Sequence, residues 1–181
     1  ILGYGFPKES FEEGMKRHPD VIACDAGSSD PGPYYLGAGI SFTDVAAVKR
    51  DLSIMIPAAI KAGIPVIVGT SGGSGATPHL EINRRLVMEI AEEHHLSFKY
   101  AEISAEFDKE TIHYNLKEGR ISPLGPVPEL TDKDIDEAVH IVAQMGEEPY
   151  MEALKGGAQV IMAGRSYDPA VFASLAITKG F

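Results

Sequence analysis

The sequence predicts an α/β domain, a Rossmann-like three-layer fold in which a parallel sheet carries helices on both faces. Three observations carry that prediction. Short apolar runs at 20–25, 65–68 and 158–163 read as strands, and the β-branched run at 66–68 suits a strand covered on both faces. Between them stand stretches with helical spacing, such as Val45, Val48, Leu52, Met55, Ile56 and Ala59. Glycine-rich loops then follow these strands, where the chain must turn. Strands alternating with helices in this way pair in parallel.

Taken in order, Gly3 and Gly5 flank Tyr4 in a turn. Residues 10–17 read as a short helix, with Ser10 and Glu13 as its capping box. After the strand at 20–25, the segment 26–39 is too rich in Gly, Pro and Ser for regular structure. Ser41 and Asp44 open a helix that Gly63 closes, and Pro57 is expected to kink or break it. The strand at 66–68 leads through a glycine loop into a helix over 78–95. Residues 98–104 alternate apolar and polar and read as a strand. A helix runs from Asp108 to Gly119, and the proline-bearing stretch 121–130 is a connector. Thr131 and Asp134 form a capping box for a helix reaching Gly146. A short helix at 148–155, the strand at 158–163 and an amphipathic helix with Val171, Phe172 and Leu175 complete the chain. Ligands of such sheets sit beyond the carboxyl ends of the strands. That rule gathers loops 3–6, 25–35, 70–79 and 164–168 at one edge.

A chain of 181 residues, 44% hydrophobic and 23% charged, forms one domain over 1–181. Its first and last residues read as cut edges, so a fragment of a longer protein is expected. Sixteen basic against 26 acidic residues leave a net charge of −10, which argues against nucleic acid or an anionic membrane as partner. A small anionic metabolite remains compatible, because a few local donors dominate inside a cleft. So does a homo-oligomer. The single cysteine, Cys24, permits no internal disulfide, sits in an apolar run as a core thiol, and suits a cytoplasmic location.

The glycine loop is the centre of the chemistry. Gly69, Gly72, Gly73 and Gly75 allow tight turning and close approach, and Ser71 and Ser74 add hydroxyl donors. With the helix start behind them, these residues form an anion-binding candidate. A turn that needs glycine only for geometry accounts for the same residues. Residues 69–73 also match the G-x-S-x-G spacing of a hydrolase elbow, but Gly75, Thr77 and Pro78 delay the helix that an elbow requires. No Gly-Lys-Ser/Thr follows, and the glycine spacing is not that of a dinucleotide fingerprint. The residues name no cofactor.

Asp25 ends its strand, which suits a proton-transfer group. Ser28 and Asp30 follow as ligand-binding candidates, though Ser29 and Asp30 before Pro31 and Gly32 also fit a plain turn. Arg165 can clamp a carboxylate or phosphate in bidentate fashion. Asp168 is a catalytic candidate that an N-cap role explains equally. His79 stands at a helix start beside the glycine loop as a ligand or general acid. His94 and His95 lie near a helix end, and His18, His113 and His140 are assigned to helix surfaces or edges. The histidines form no metal pattern, although Asp25 and Asp30, five residues apart on a loop, can bind a divalent cation through oxygen. Glu102 or Glu106 can reach the same edge from the third strand.

The segments ILGYGFP, DVIACDAGSSDPGPYYLG, GTSGGSGATPHL, PLGPVPELT and AGRSYDPAVFA together resemble the acyclic terpene utilisation (AtuA) family. The resemblance runs over nearly the whole chain in one order. It implies a mainly bacterial family tied to breakdown of acyclic terpenoids such as citronellol, and it carries no catalytic set. The first expectation is a catabolic enzyme acting on an organic acid or acyl-CoA by lyase or hydratase chemistry. The glycine loop and Arg165 would hold the anion, and Asp25 with Asp168 or His79 would move protons. A non-catalytic ligand-binding or assembly subunit is the alternative, and a metal-dependent hydrolase the third.

Overall fold

The computed structural model describes residues 1–27 and 32–181. Ser28 and Asp30 therefore lie outside the described residues. The elements are α1 (Lys8–Met15), β1 (Ile22–Asp25), α2 (Tyr34–Ala38), α3 (Val45–Ala62), β2 (Val66–Gly69), α4 (Thr77–Glu93), β3 (Tyr100–Ile103), α5 (Lys109–Lys117), α6 (Asp132–Glu137), α7 (Glu148–Lys155), β4 (Val160–Ala163) and α8 (Ala170–Thr178). All strand pairs are parallel, in the order β1-β2-β4-β3.

Alternation along the strands builds three layers. Val66, Val68, Val160 and Met162 face one side, against Leu52 and Ile56 of α3 and Leu86, Val87 and Ile90 of α4. Ile67, Ile161 and Ala163 face the other, against Tyr150 of α7 and Ala170 and Val171 of α8. The chain steps β1 to β2 to β3 over the α3–α4 face and returns to β4 past α7 on the opposite face. Opposite faces for opposite directions keep every crossover of one hand. β2 and β4 are neighbours whose continuations leave to opposite faces, so the topological switch point lies between their carboxyl ends.

Several local expectations hold in detail. Asp44 caps α3 by accepting from Ala46 and Ala47 amides at 2.9 and 3.1 Å, and Gly63 ends it with φ 71°. The Thr131–Asp134 capping box is present. Others are corrected. α1 begins at Lys8 after Pro7, so Ser10 and Glu13 lie inside it. α3 continues through Pro57. A short helix, α2, forms inside the segment read as irregular. α6 stops at Glu137 instead of reaching Gly146, because the following residues find distant partners. Phe107 N–H donates to Ile141 O at 2.9 Å, Ala143 N–H to Ala105 O at 2.9 Å, and Met145 N–H to Arg165 O at 3.1 Å. This extended strip ties the β3 exit to the β4 exit. α8 is less amphipathic than expected, since Val171 is buried while the neighbouring Phe172 is exposed.

Candidate active site at the sheet switch point

The exits of β2 and β4 are fastened together. Thr70 N–H donates to Gly164 O at 3.0 Å, and Ser166 N–H donates to Thr70 Oγ1 at 3.1 Å. Thr70 makes these bonds from the left-handed region, φ 48° and ψ 50°, which a β-branched residue occupies only under strain. Gly75 is packed closer still. A Cβ there would lie 2.2 Å from Arg165 N, and its φ is +74°.

The amides of the glycine loop turn inward. Gly73 N–H donates to Thr70 O and Gly75 N–H to Ser71 O, both at 3.0 Å, and Ser74 N–H also donates to Ser71 O. The first amide of α4, from Thr77, donates to Glu106 Oε2 at 2.7 Å. Where the sequence offers this helix start to a ligand anion, the chain supplies its own carboxylate. Ser71 is fully buried and the strained position is Thr70, so the residues at the G-x-S-x-G spacing expose no serine nucleophile.

Asp25 feels the charges of Arg165 and Asp168. β1 alternates, with Ala23 toward the α8 face and Cys24 toward the α3 face, so Asp25 points to the α8 side. Its Oδ1 accepts from Gly27 N–H at 2.9 Å. Burial raises the Asp25 pKa above its ordinary value of 3.8. The Gly27 bond opposes that shift, Asp168 adds to it, and Arg165 opposes it. Arg165 and Asp168 are thus each within electrostatic reach of Asp25. Behind them, the buried Tyr150 hydroxyl lies 2.5 Å from Ser166 Oγ, which itself donates to Gly164 O at 2.8 Å. Tyr150 is therefore the donor in that pair. Burial pushes its pKa up to about 12, with Asp25 adding to the rise against the Ser166 bond.

His79 is placed elsewhere. It is fully buried on α4, with Nε2 3.0 Å from Ile40 O and 3.2 Å from Tyr35 O. Two carbonyl acceptors require Nε2 to carry the proton. Burial lowers the His79 pKa, so the ring is kept neutral. It clasps the Tyr35 and Ile40 carbonyls.

Sequence reasoning missed His140. Its Nδ1 lies 2.5 Å from Glu106 Oε1, so one carboxylate joins the start of α4 to the strip after α6. The only sequence signal was Glu106 itself, near the end of β3. A cavity of about 530 Å³ lies apart from the rim group, lined by Leu116, Ile121, Val127 and Leu130 among others. Among the described residues, no group of three or more His, Cys, Asp or Glu stands close enough to hold a metal ion. No helix among them is long and apolar enough to cross a membrane.

A model of the acyclic terpene utilisation family protein AtuA matches residues 45–179. The chain belongs to the AtuA family. The AtuA match covers the glycine loop, Arg165 and Asp168, and begins after Asp25. No curated protein and no solved structure matches this AtuA chain.

Proposed function

We propose that this chain forms the active site of a catabolic enzyme acting on an acyclic terpenoid-derived or branched organic acid, or its acyl-CoA thioester. Arg165 holds the anionic part of the substrate. Asp25 and Asp168 move protons in a lyase or hydratase step. One carboxyl accepts a proton from carbon, the other protonates the departing hydroxyl, and the products are an alkene and water. Asp25 is half-buried and Asp168 exposed, and unequal burial of paired carboxyls is how such roles are separated. What supports this reading is that Asp25, at the end of β1, points to the face onto which the β4 exit carries Arg165 and Asp168, with burial raising its pKa. Ser74 is half-buried in the glycine loop and is the hydroxyl of that loop open to a ligand.

The inward-turned amides of the glycine loop favour one rival, a ligand-binding or assembly subunit without chemistry of its own. One experiment separates the two. The full-length protein is screened by thermal shift against organic acids and acyl-CoA esters, and hits are assayed for turnover. Asp25→Asn is expected to abolish turnover while retaining binding, and Arg165→Gln to weaken binding. Binding without turnover in the wild type would select the subunit.

A further inference from the structure

β1 has one paired edge. Ile22 N–H donates to Pro65 O at 3.0 Å and Ala26 N–H to Gly69 O at 2.9 Å, so these amides face β2. Backbone groups alternate along a strand in a parallel sheet, so the Ala23 and Asp25 amides face the other way. Among the described residues, β1 forms a ladder with β2 alone. A cavity of about 200 Å³ lies against β1, and Leu2, Phe6, Phe11 and Met55 contribute to its lining. Ile22, Ala23 and Cys24 all line it too. Consecutive strand residues point to opposite faces, so a cavity that touches all three follows the edge of the strand. Outward amides beside an apolar slot are the template onto which a further strand adds.

The path of the chain selects the occupant. Phe11 of α1 packs against the cluster that α3 and α4 build, so α1 covers the α3 face of the sheet and then leads into the start of β1. The turn before α1 stands at the other end, where β1 finishes. Its Leu2 O accepts from Thr43 Oγ1 at 3.1 Å, and Thr43 lies just before α3 on the connection leaving β1. The turn is pinned there, because Gly3 and Gly5 N–H donate to Oδ2 of the buried Asp51 at 2.8 and 3.2 Å. A strand that runs into this turn therefore ends where β1 ends, parallel to it. The chain already steps from β1 to β2 by way of α3 on this face. A strand on the outer edge of β1, returning by way of α1, takes the same step in the same direction over the same face. Its crossover then has the same hand as the others.

We infer that the outer edge of β1 is a docking edge for a further parallel strand of the same polypeptide, the one that runs into Ile1. The outward amides of Ala23 and Asp25 donate to its carbonyls, and one of its apolar side chains fills the cavity. β1 is then an interior strand, and the sheet has five strands with the added one outermost beside β1. Asp25 closes a strand that has neighbours on both sides. The Gly3–Gly5 turn becomes a strand-to-helix loop at the same rim, with Tyr4, 66% exposed, at its tip. This arrangement holds whatever chemistry Asp25 performs.

The test is amide hydrogen exchange followed by NMR on the full-length protein, together with its crystal structure. The Ala23 amide is expected to exchange at least about a hundredfold more slowly than in the unfolded chain, as the β2-facing Cys24 amide does. In the crystal, a parallel strand leading into Ile1 should place a carbonyl within about 3.2 Å of the Ala23 nitrogen. An Ala23 amide that exchanges as fast as in the unfolded chain would overturn the inference. So would an edge covered by a helix or loop, or one paired with an antiparallel strand from a second copy of the chain. A segment before Ile1 that runs away from β1 would overturn it as well.

Discussion

Glu106 accepts the Thr77 amide at 2.7 Å, so a residue from the end of β3 caps the helix that follows β2. Its other oxygen lies 2.5 Å from His140. Glu106→Ala should destabilise the protein by about 1 kcal/mol, the usual cost of a lost N-cap. Glu106→Gln, which keeps an acceptor, should cost less. Chemical denaturation of both variants checks the order.

The same carboxyl predicts a pH dependence. Burial pushes its pKa up, but bonds from Thr77 and His140 outweigh this and hold it below its ordinary 4.5. A depressed folded pKa means the contribution is present above that ordinary value and is lost as pH falls through the folded one. The stability gap between wild type and Glu106→Gln should therefore close on acidification. A gap that is constant through the acid range would contradict this.

His113 works in the opposite sense. Its Nδ1 lies 2.7 Å from Asp132 and its Nε2 2.9 Å from Asp136, joining α5 to α6. Asp132 and then Asp136 raise its pKa above the ordinary 6.5. Stabilisation from a raised pKa is full below that ordinary value and is lost as pH rises through the folded one. The difference between wild type and His113→Gln should be full below about pH 6.5 and shrink as pH rises above it. Thermal melts across that range read it out.

Two glycines should respond oppositely to alanine. Gly75→Ala drives a Cβ to 2.2 Å from Arg165 N, which is backbone and cannot swing away. A loss of about 3 kcal/mol or more is expected, with the β2 and β4 exits separating. Gly14 in α1 has open space around its Cβ position. Gly14→Ala should gain about 0.5–1 kcal/mol from helix propensity. Urea denaturation midpoints would show the two signs.

Cys24 should behave as an inert thiol. Burial pushes its pKa up to about 11, with Asp25 and Asp51 adding to the rise against the N-terminal charge. Relative to an ordinary thiol at 9.0, that leaves roughly a hundredfold less thiolate at neutral pH. Native protein should react with a disulfide reagent far more slowly than unfolded protein. Comparable rates would place Cys24 in an accessible site.

The parallel sheet was legible because β-branched runs and helical periods are local signals. α2 was not, because it depends on distant contacts. Tyr35 stacks edge-on against Phe42 at 5.3 Å, and its carbonyl is taken by His79. The overextended α6 has the same origin, since Ala105 and Arg165 carbonyls recruit amides from residues that could have stayed helical. Asp25 and Arg165 could be assigned to the carboxyl ends of strands because one closes β1 and the other stands two residues after β4. The His140–Glu106 pair spans a sequence separation of 34, which no local pattern records. Gly75 shows a different limit. Glycine is needed wherever backbones approach closely, whether the visitor is a ligand or the chain itself.

The strand order has a consequence for synthesis. Among the described residues β3 pairs only with β4, and β4 lies between β2 and β3, yet it is made long after both. In a chain emerging from the ribosome, the facing edges of β2 and β3 stay unmatched until Val160–Ala163 arrives to fill the gap. Completion of the sheet therefore waits for a late, non-local insertion, and a stalled or shortened product would be prone to aggregation and dependent on chaperones.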